Sequence, residues 1–384
     1  MIGHSTIRQT CKRALSRWAI LLGLAVMGTT SVAANAQTLL QTNARYPRVR
    51  MVSGGSELIA TVLLFPSDYR VKVFSSIDNG ATWTHVGMVS EPDFASLRTS
   101  SPDFIELPNG DLILGLNVDT SACVGCRSTI RIYRSTDKGR NWGYVTDAAT
   151  SSNDLTFWEP NFSIATDGAL VLTYADMTSG CCSQKLMKIR SYTNGSTWVN
   201  RENLVAMGNT DNTHPNYPLR PGMPVVTKLT DGTGRFLMTF EVCGLAGADH
   251  CRSYYKTSTD GWNYGAVNSL GTAMQHADGR YWQATPIAKA LPGGPLLWMG
   301  KHFRTSAGSA TGNGTSISKS ATGNPNGPWT TITAPVSLTA PTTAGCQGFS
   351  PGLQWVSGGS TIVHLQMRPG TGTNCDVWVG TGPS

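Results

Sequence analysis

Two glutamates stand out: Glu159 in Phe157-Trp158-Glu159-Pro160, at the start of a strand, and Glu241, flanked by apolar residues, in Phe240-Glu241-Val242-Cys243. Apolar neighbours strip water from a carboxyl group and help it keep its proton near neutral pH. One protonated and one ionised carboxyl group are what hydrolysis of a glycosidic bond requires. The first is an acid for the leaving oxygen, the second a nucleophile or base at the anomeric carbon. Asp103 and Asp176 are further candidates, in Ser101-Pro102-Asp103 and Tyr174-Ala175-Asp176. Each of the four also has a plainer reading, as an ion-paired or turn-capping carboxylate.

Arg48, Tyr217, Arg220, His276, Trp282, Lys301, His302 and Gln347 are the side chains suited to line such a site, with His214 and Tyr281 beside them. Aromatic rings match the faces of sugars, and charged or amide groups match hydroxyls. Trp282 would serve equally well as core between sheets, and His250, next to Cys251, reads as a loop histidine. Recognition of an acidic sugar would instead need arginines gripping a carboxylate in bidentate fashion. Arg48, Arg98, Arg220, Arg280, Arg304 and Arg368 are the candidates for that chemistry. No phosphate loop, serine-nucleophile elbow or metal-ligand cluster stands out, so no cofactor or metal is expected. Cys123-Val124-Gly125-Cys126 has a zinc-like gap, but no second Cys or His pair answers it.

Glu159 and Glu241 are 82 positions apart, so a scaffold has to bring them together. Six hairpins recur along the chain. Their first strands start near Tyr46, Ser101, Trp158, Arg220, Gln283 and Phe349, each with a proline close by. Gly54-Gly55, Asn109-Gly110, Asp167-Gly168, Asp231-Gly232, Gly293-Gly294 and Gly358-Gly359 turn each into a second apolar run, which is a strong hairpin signal. A proline at the start of a strand is tolerated because that residue need not donate to the ladder. Long loops at 117–128, 176–185, 243–252 and 301–315 follow the second strands of hairpins two to five, where functional segments tend to lie. After the sixth hairpin one clear strand remains, at 377–379. Residues 38–41 are expected to complete that last sheet, joining the two ends of the chain and removing the open edges.

A second repeat supports the same scaffold. Ser76-Ile77-Asp78-Asn79-Gly80-Ala81-Thr82-Trp83 returns as Ser135-Thr136-Asp137-Lys138-Gly139-Arg140-Asn141-Trp142. A third copy ends in Asn194-Gly195-Ser196-Thr197-Trp198, read with Asn in place of Asp. A shortened fourth is Ser258-Thr259-Asp260-Gly261-Trp262, and Asn326-Gly327-Pro328-Trp329 is a decayed fifth. Recurrence at 57 to 66 residues marks a repeat architecture. In each copy Asp folds onto backbone N–H groups ahead of it, Gly takes a positive φ, and Trp supplies a ring to bury. The pattern resembles the Asp-box, or BNR, turn between the outer strands of a propeller blade, and its aspartates are structural rather than catalytic.

The first 36 residues read as an export leader. Arg8, Lys12, Arg13 and Arg17 precede an apolar run at 18–27, and Ala34-Asn35-Ala36 is a small-x-small cleavage signal before Gln37. The apolar run is too short to span a membrane. Without the leader, 26 basic residues face 23 acidic ones, so the net charge falls from +7 to +3 and gives no footprint for nucleic acid. Eight cysteines remain, an even number that favours disulfides in an exported chain. Local spacing suggests Cys123–Cys126, Cys243–Cys251 and Cys346–Cys375, with Cys181 and Cys182 bridged to each other or elsewhere. The expected organisation is a leader over 1–36 and one all-β, six-bladed propeller over 37–384. The mature chain is expected to be an exported monomer, extracellular or periplasmic and free of the membrane, that binds a polysaccharide or oligosaccharide.

Phe157-Trp158-Glu159-Pro160, Tyr174-Ala175-Asp176, Gln184-Lys185-Leu186, Arg220-Pro221-Gly222-Met223-Pro224-Val225-Val226 and Phe240-Glu241 together resemble glycoside hydrolase family 93. That resemblance implies a sialidase-like six-bladed propeller and an exo-acting α-1,5-L-arabinanase that releases arabinobiose with retention. It implies two catalytic glutamates at the Trp-Glu-Pro and Phe-Glu positions. Here these are Glu159, taken as nucleophile, and Glu241, taken as acid/base, with the exchanged roles nearly as well supported. The Cys-rich loops depart from the family pattern. A sialidase and a non-catalytic carbohydrate-binding propeller are the alternatives.

Overall fold

The computed structural model describes residues 37–384 apart from 67, 91–97, 120–127, 152, 154, 179–183, 208–218, 248–249, 313, 339–345 and 373. Its architecture is all-β. Six antiparallel sheets each run outward from an inner strand; five have four strands, and the fourth has six, with Thr272–Ala273, Tyr281–Gln283 and His302–Arg304 beyond its third strand. Blade one is Ala44–Val52, Glu57–Leu64, Val71–Ser76 and Thr84–Val89; blade two starts at Arg98–Glu106 and blade three at Phe157–Ile164. Blades four, five and six start at Arg220–Lys228, Ile287–Ala290 and Gly352–Val356. Thr38–Gln41 forms the outermost strand of blade six, with Thr38 opposite Val379. The ring therefore closes where the sequence places its closure.

The apolar residues form a series of clusters, each spanning a boundary between blades. Ile59, Val73, Phe104, Leu114 and Tyr133 join blades one and two; Phe157, Phe162 and Leu172 pack on Ile113 and Ile132 between two and three. Val363, Val379 and Phe74 fill the last boundary, between blades six and one. Burying side chains of this size contributes roughly 1.5–3 kcal/mol each, so blade-to-blade contact sets the ring's stability.

The box turns fold as their residues require. Ser76 Oγ donates to Asp78 at 2.8 Å, the Gly80 N–H donates to Ser76, and the Trp83 indole donates to the Gly80 carbonyl at 3.1 Å. Ser135, Asp137, Gly139 and Trp142 repeat these contacts. In the third copy the structure corrects the alignment. Asn194, at φ 52°, takes the place of Asn79 and Lys138. Thr193 takes the place of Asp, with its hydroxyl accepting the Thr197 N–H at 2.8 Å.

Blade five also departs from expectation. Gln283 is not in its inner strand. It ends a short strand, Tyr281–Gln283, that pairs with Arg252 of blade four and with His302–Arg304. Ala284 at φ 60° and Thr285 at φ 46° then bend the chain, and no strand runs straight through two left-handed residues.

That bend belongs to a pattern shared by all six blades. The residue before the inner-strand proline lies at positive φ every time: Tyr46, Ser101, Glu159, Met223, Thr285 and Ser350. In blades one to four the ladder register slips at this point, between Arg45 and Arg48, Ser100 and Asp103, Trp158 and Asn161, and Gly222 and Val225. Such a bulge re-aims the side chain and frees the backbone N–H from the ladder. It is repeated around the mouth of the central channel.

Candidate active site

Two of these N–H groups have carboxylate partners. The Met223 N–H donates to Glu159 Oε2, and the Thr285 N–H donates to Glu241 Oε2. In each case the bulge of one blade holds the glutamate of the blade before it. Thr285 extends the chain of contacts by accepting the Ser350 N–H on its hydroxyl at 3.0 Å.

Gly222 lies between the two acids. A methyl group there would stand 3.1 Å from Glu159 Oε2, 3.6 Å from Glu241 Oε1 and 2.8 Å from Gln184 Nε2. The sum of the first two distances, about 6.7 Å, is an upper limit on the separation of those oxygens. The side chains close over the glycine, so a methyl group there would press on Gln184 and Glu159. Glu241 sits opposite Gly222 in the ladder of blade four, which brings it to the Glu159 face.

Both carboxyl groups hold protons unusually well. Burial lifts Glu159 to about 7, against the Met223 hydrogen bond and the charges of Arg220 and Arg48, which pull it down. Burial lifts Glu241 to about 8, and the charge of Glu159 pushes in the same direction. Arg220 donates to Gln184 Oε1 at 3.1 Å, and Gln184 in turn donates to the Pro221 carbonyl. Arg48 is fixed by Ser350 Oγ at 2.8 Å and lies 3.7 Å from Asp103. Lys301, half-buried, feels the charge of Glu241 and lies over the Phe349 ring.

A cavity of about 610 Å³ opens beside Glu159, walled by Tyr46, Tyr69, Trp158, Phe349, Arg98 and Asn117 among others. Aromatic walls with a few polar groups suit a sugar. The sequence reading missed Tyr46 and Phe349, whose rings meet edge to face at 5.6 Å. Tyr46 is held in its protonated form by burial and by the charge of Glu159. Its signal was available, since Tyr46-Pro47 is the blade-one counterpart of Glu159-Pro160.

Other expected residues lie elsewhere. Asp103 is buried further along the channel, accepting from Arg50, Asn161 and the Phe162 N–H. Asp176 pairs with Arg201 at 2.8 Å and caps Thr178. His276 and Trp282 are interior: both bond to Ser318 Oγ at 2.7 Å, and both pack against Phe303. His302 pairs with Gln283 in the short strand beside blade five, and burial lowers it to about 4. Gln347 is buried in the turn that sets Gly348 against the Lys301 carbonyl. Arg280 is tied to Asp278, Arg304 to Gln283 and Arg368 to Gln37 and Ser337. Tyr217 and His214 lie outside the described residues, as do Cys123, Cys126, Cys181 and Cys182. The disulfides Cys243–Cys251 and Cys346–Cys375 are formed. The first stands directly behind the site, with Cys243 Sγ 3.6 Å from Glu241 Oε1.

No protein-family model matches the chain, and no curated protein sequence matches it. Among solved structures it is similar to an α-L-arabinanase of Penicillium chrysogenum complexed with arabinobiose, with a TM-score of 0.73 and 22% identity over 91% of this chain and 98% of that one. It is also similar to the GH93 α-L-arabinofuranosidase of Fusarium graminearum with arabinobiose, with a TM-score of 0.71 and 18% identity over 91% of this chain and 97% of that one. A Hadza microbial sialidase gives a TM-score of 0.57 and 14% identity over 89% of this chain and 66% of that chain. At these identities the shared property is the fold: a six-bladed, sialidase-like propeller.

Proposed function

We propose that this chain is a retaining glycoside hydrolase acting on arabinan, in the exo mode that releases arabinobiose. The observation that carries the reading is the Glu159–Glu241 pair, converging across Gly222 within about 6.7 Å. Retaining enzymes hold their carboxyl groups roughly 5–5.5 Å apart, whereas inverting ones leave about 6.5–9.5 Å for a water. The bound admits the retaining spacing and only the lower edge of the inverting range.

The electrostatics supports a division of labour. Glu159 is drawn toward its ionised form by Arg220, Arg48 and the Met223 N–H. Glu241 feels the negative charge of Glu159 and keeps its proton to higher pH. In the first step Glu241 gives its proton to the glycosidic oxygen while Glu159 attacks the anomeric carbon. The leaving sugar departs as an alcohol and an ester to Glu159 forms. In the second step Glu241, now ionised, takes a proton from water. The hydroxide oxygen attacks the same carbon, and Glu159 is released as carboxylate. Two inversions give net retention. Arabinobiose in the two arabinose-acting neighbours and the aromatic cavity beside Glu159 support an arabinose oligomer as substrate. The leader and the two disulfides support export.

Linear arabinan and a sialoside offered to the purified chain test the reading. Arabinobiose from the first and nothing from the second is the expected result. Sialic acid release would replace this proposal with the sialidase alternative.

A further inference from the structure

Further along the channel from the glutamate pair lies a second cavity, of about 360 Å³, lined by residues from the inner strands of all six blades. Arg48, Arg50, Lys228 and Lys289 contribute to its wall, and Asp103 is the acid among its lining residues. Asp103 is already committed. Its oxygens receive Arg50 Nη2 at 3.0 Å, Asn161 Nδ2 at 2.9 Å and the Phe162 N–H at 3.0 Å. Arg48 adds a fourth contact at 3.7 Å. Lys289 is left over. Among the described residues it has no hydrogen-bond acceptor and no ion-pair partner, and its nearest charge influences are Arg50 and Asp103. Arg50 spends only Nη2, on Asp103 and the Phe162 carbonyl, so its Nε and Nη1 have no partner among the described residues either.

An ammonium in a confined channel, facing a guanidinium and lacking an acceptor, is a costly arrangement unless an anion joins it. Lys289 is half-buried, and burial and Arg50 bring it down to about 7, with Asp103 opposing them. We propose that this cavity is an anion site, in which Lys289 and the free edge of Arg50 hold one small oxyanion. Either free inorganic phosphate or the carboxylate of a uronic acid has the required chemistry. The inference is independent of the hydrolytic reading, because none of the charged groups it uses has to act on a glycosidic bond.

Thermal melts of the whole chain at pH 6.5 test it, in chloride, in millimolar inorganic phosphate and in millimolar glucuronate at one ionic strength. At a hundred times its dissociation constant the bound anion should raise Tm by about 3 °C or more, saturably. Lys289→Met should abolish that increment. A shift with phosphate assigns an inorganic anion, and a shift with glucuronate assigns an acidic sugar. The proposal is overturned if neither anion exceeds chloride, or if Lys289→Met keeps the full shift. Should that variant fail to fold, equilibrium dialysis of both anions against the wild-type chain decides. One saturable equivalent is expected, and no saturable binding overturns the site.

Discussion

Replacing Glu241 with Gln should stabilise the protein, increasingly as pH rises above about 4.5. Folding lifts Glu241 from 4.5 to about 8, by burial first and by the charge of Glu159 second. Between those values the folded chain holds a proton that the unfolded chain has released. Stability is therefore unaffected by this group below its unfolded value and falls as pH rises through the window. Taken whole, such a shift corresponds to on the order of 5 kcal/mol at about 1.4 kcal/mol per unit. Glu241 keeps partial contact with channel water and titrates jointly with Glu159, so about 2 kcal/mol is the magnitude to expect. Gln preserves the shape and leaves an oxygen for the Thr285 N–H, but carries no charge. Melting curves at pH 4 and pH 8.5 separate the effects. The variant should match wild type at pH 4 and exceed it by roughly 3 °C at pH 8.5. If it melts at or below wild type at pH 8.5, the ionised glutamate is not under electrostatic stress and the acid/base argument fails with it.

Four more perturbations probe other parts of the account. Glu159→Gln should cut kcat on arabinan by at least about 100-fold with little change in Tm at pH 5, read by reducing-sugar release. Gly222→Ala would set a methyl 2.8 Å from Gln184 Nε2 and 3.1 Å from Glu159 Oε2; kcat should fall about 10- to 100-fold while the fold survives by circular dichroism. The wild-type kcat/KM profile should be a narrow bell between the Glu159 and Glu241 values, about 7 and 8. Arg220→Met should move both limbs upward by roughly half a unit or more, because Arg220 lowers both acids. Replacing Cys346 and Cys375 by Ala opens a loop with a sequence separation of 29 and should cost about 3 kcal/mol in urea unfolding.

The fold was legible because its signals repeat. Six two-residue turns and four box turns each carry a local conformational reason, and their spacing agrees with one blade per unit. The leftover strand at the C-terminus and the orphan at 38–41 completed each other. Where reading failed, single residues had decided the geometry. Thr193 replaces Asp in the third box by offering a hydroxyl acceptor, so matching by residue name pointed to Asn194. Gln283 looked like an inner-strand start because the left-handed Ala284 and Thr285 leave no compositional trace.

The site was legible only in part, for a related reason. Glu159 stood out by its place at the start of an inner strand, and Glu241 through its apolar neighbours. His276 and Trp282 stood out too, but His276 Nε2 and the Trp282 indole N–H are bonded inside the core to Ser318, and sequence does not distinguish that from a pocket. The six X-Pro steps were read as harmless strand starts. At Met223 and Thr285 the structure makes them the device that turns backbone N–H groups toward the carboxylates. Prolines at one place in every blade were the available clue. Lys289 gave no signal at all, because its isolation comes from what surrounds it in space.

Proton NMR of linear arabinan during the first minutes of hydrolysis tests the central claim most directly. The newly formed reducing end should appear as the α anomer before mutarotation, and Glu159→Gln and Glu241→Gln should each silence the signal. Appearance of the β anomer first, or full activity in both variants, would contradict a double displacement shared by these two glutamates.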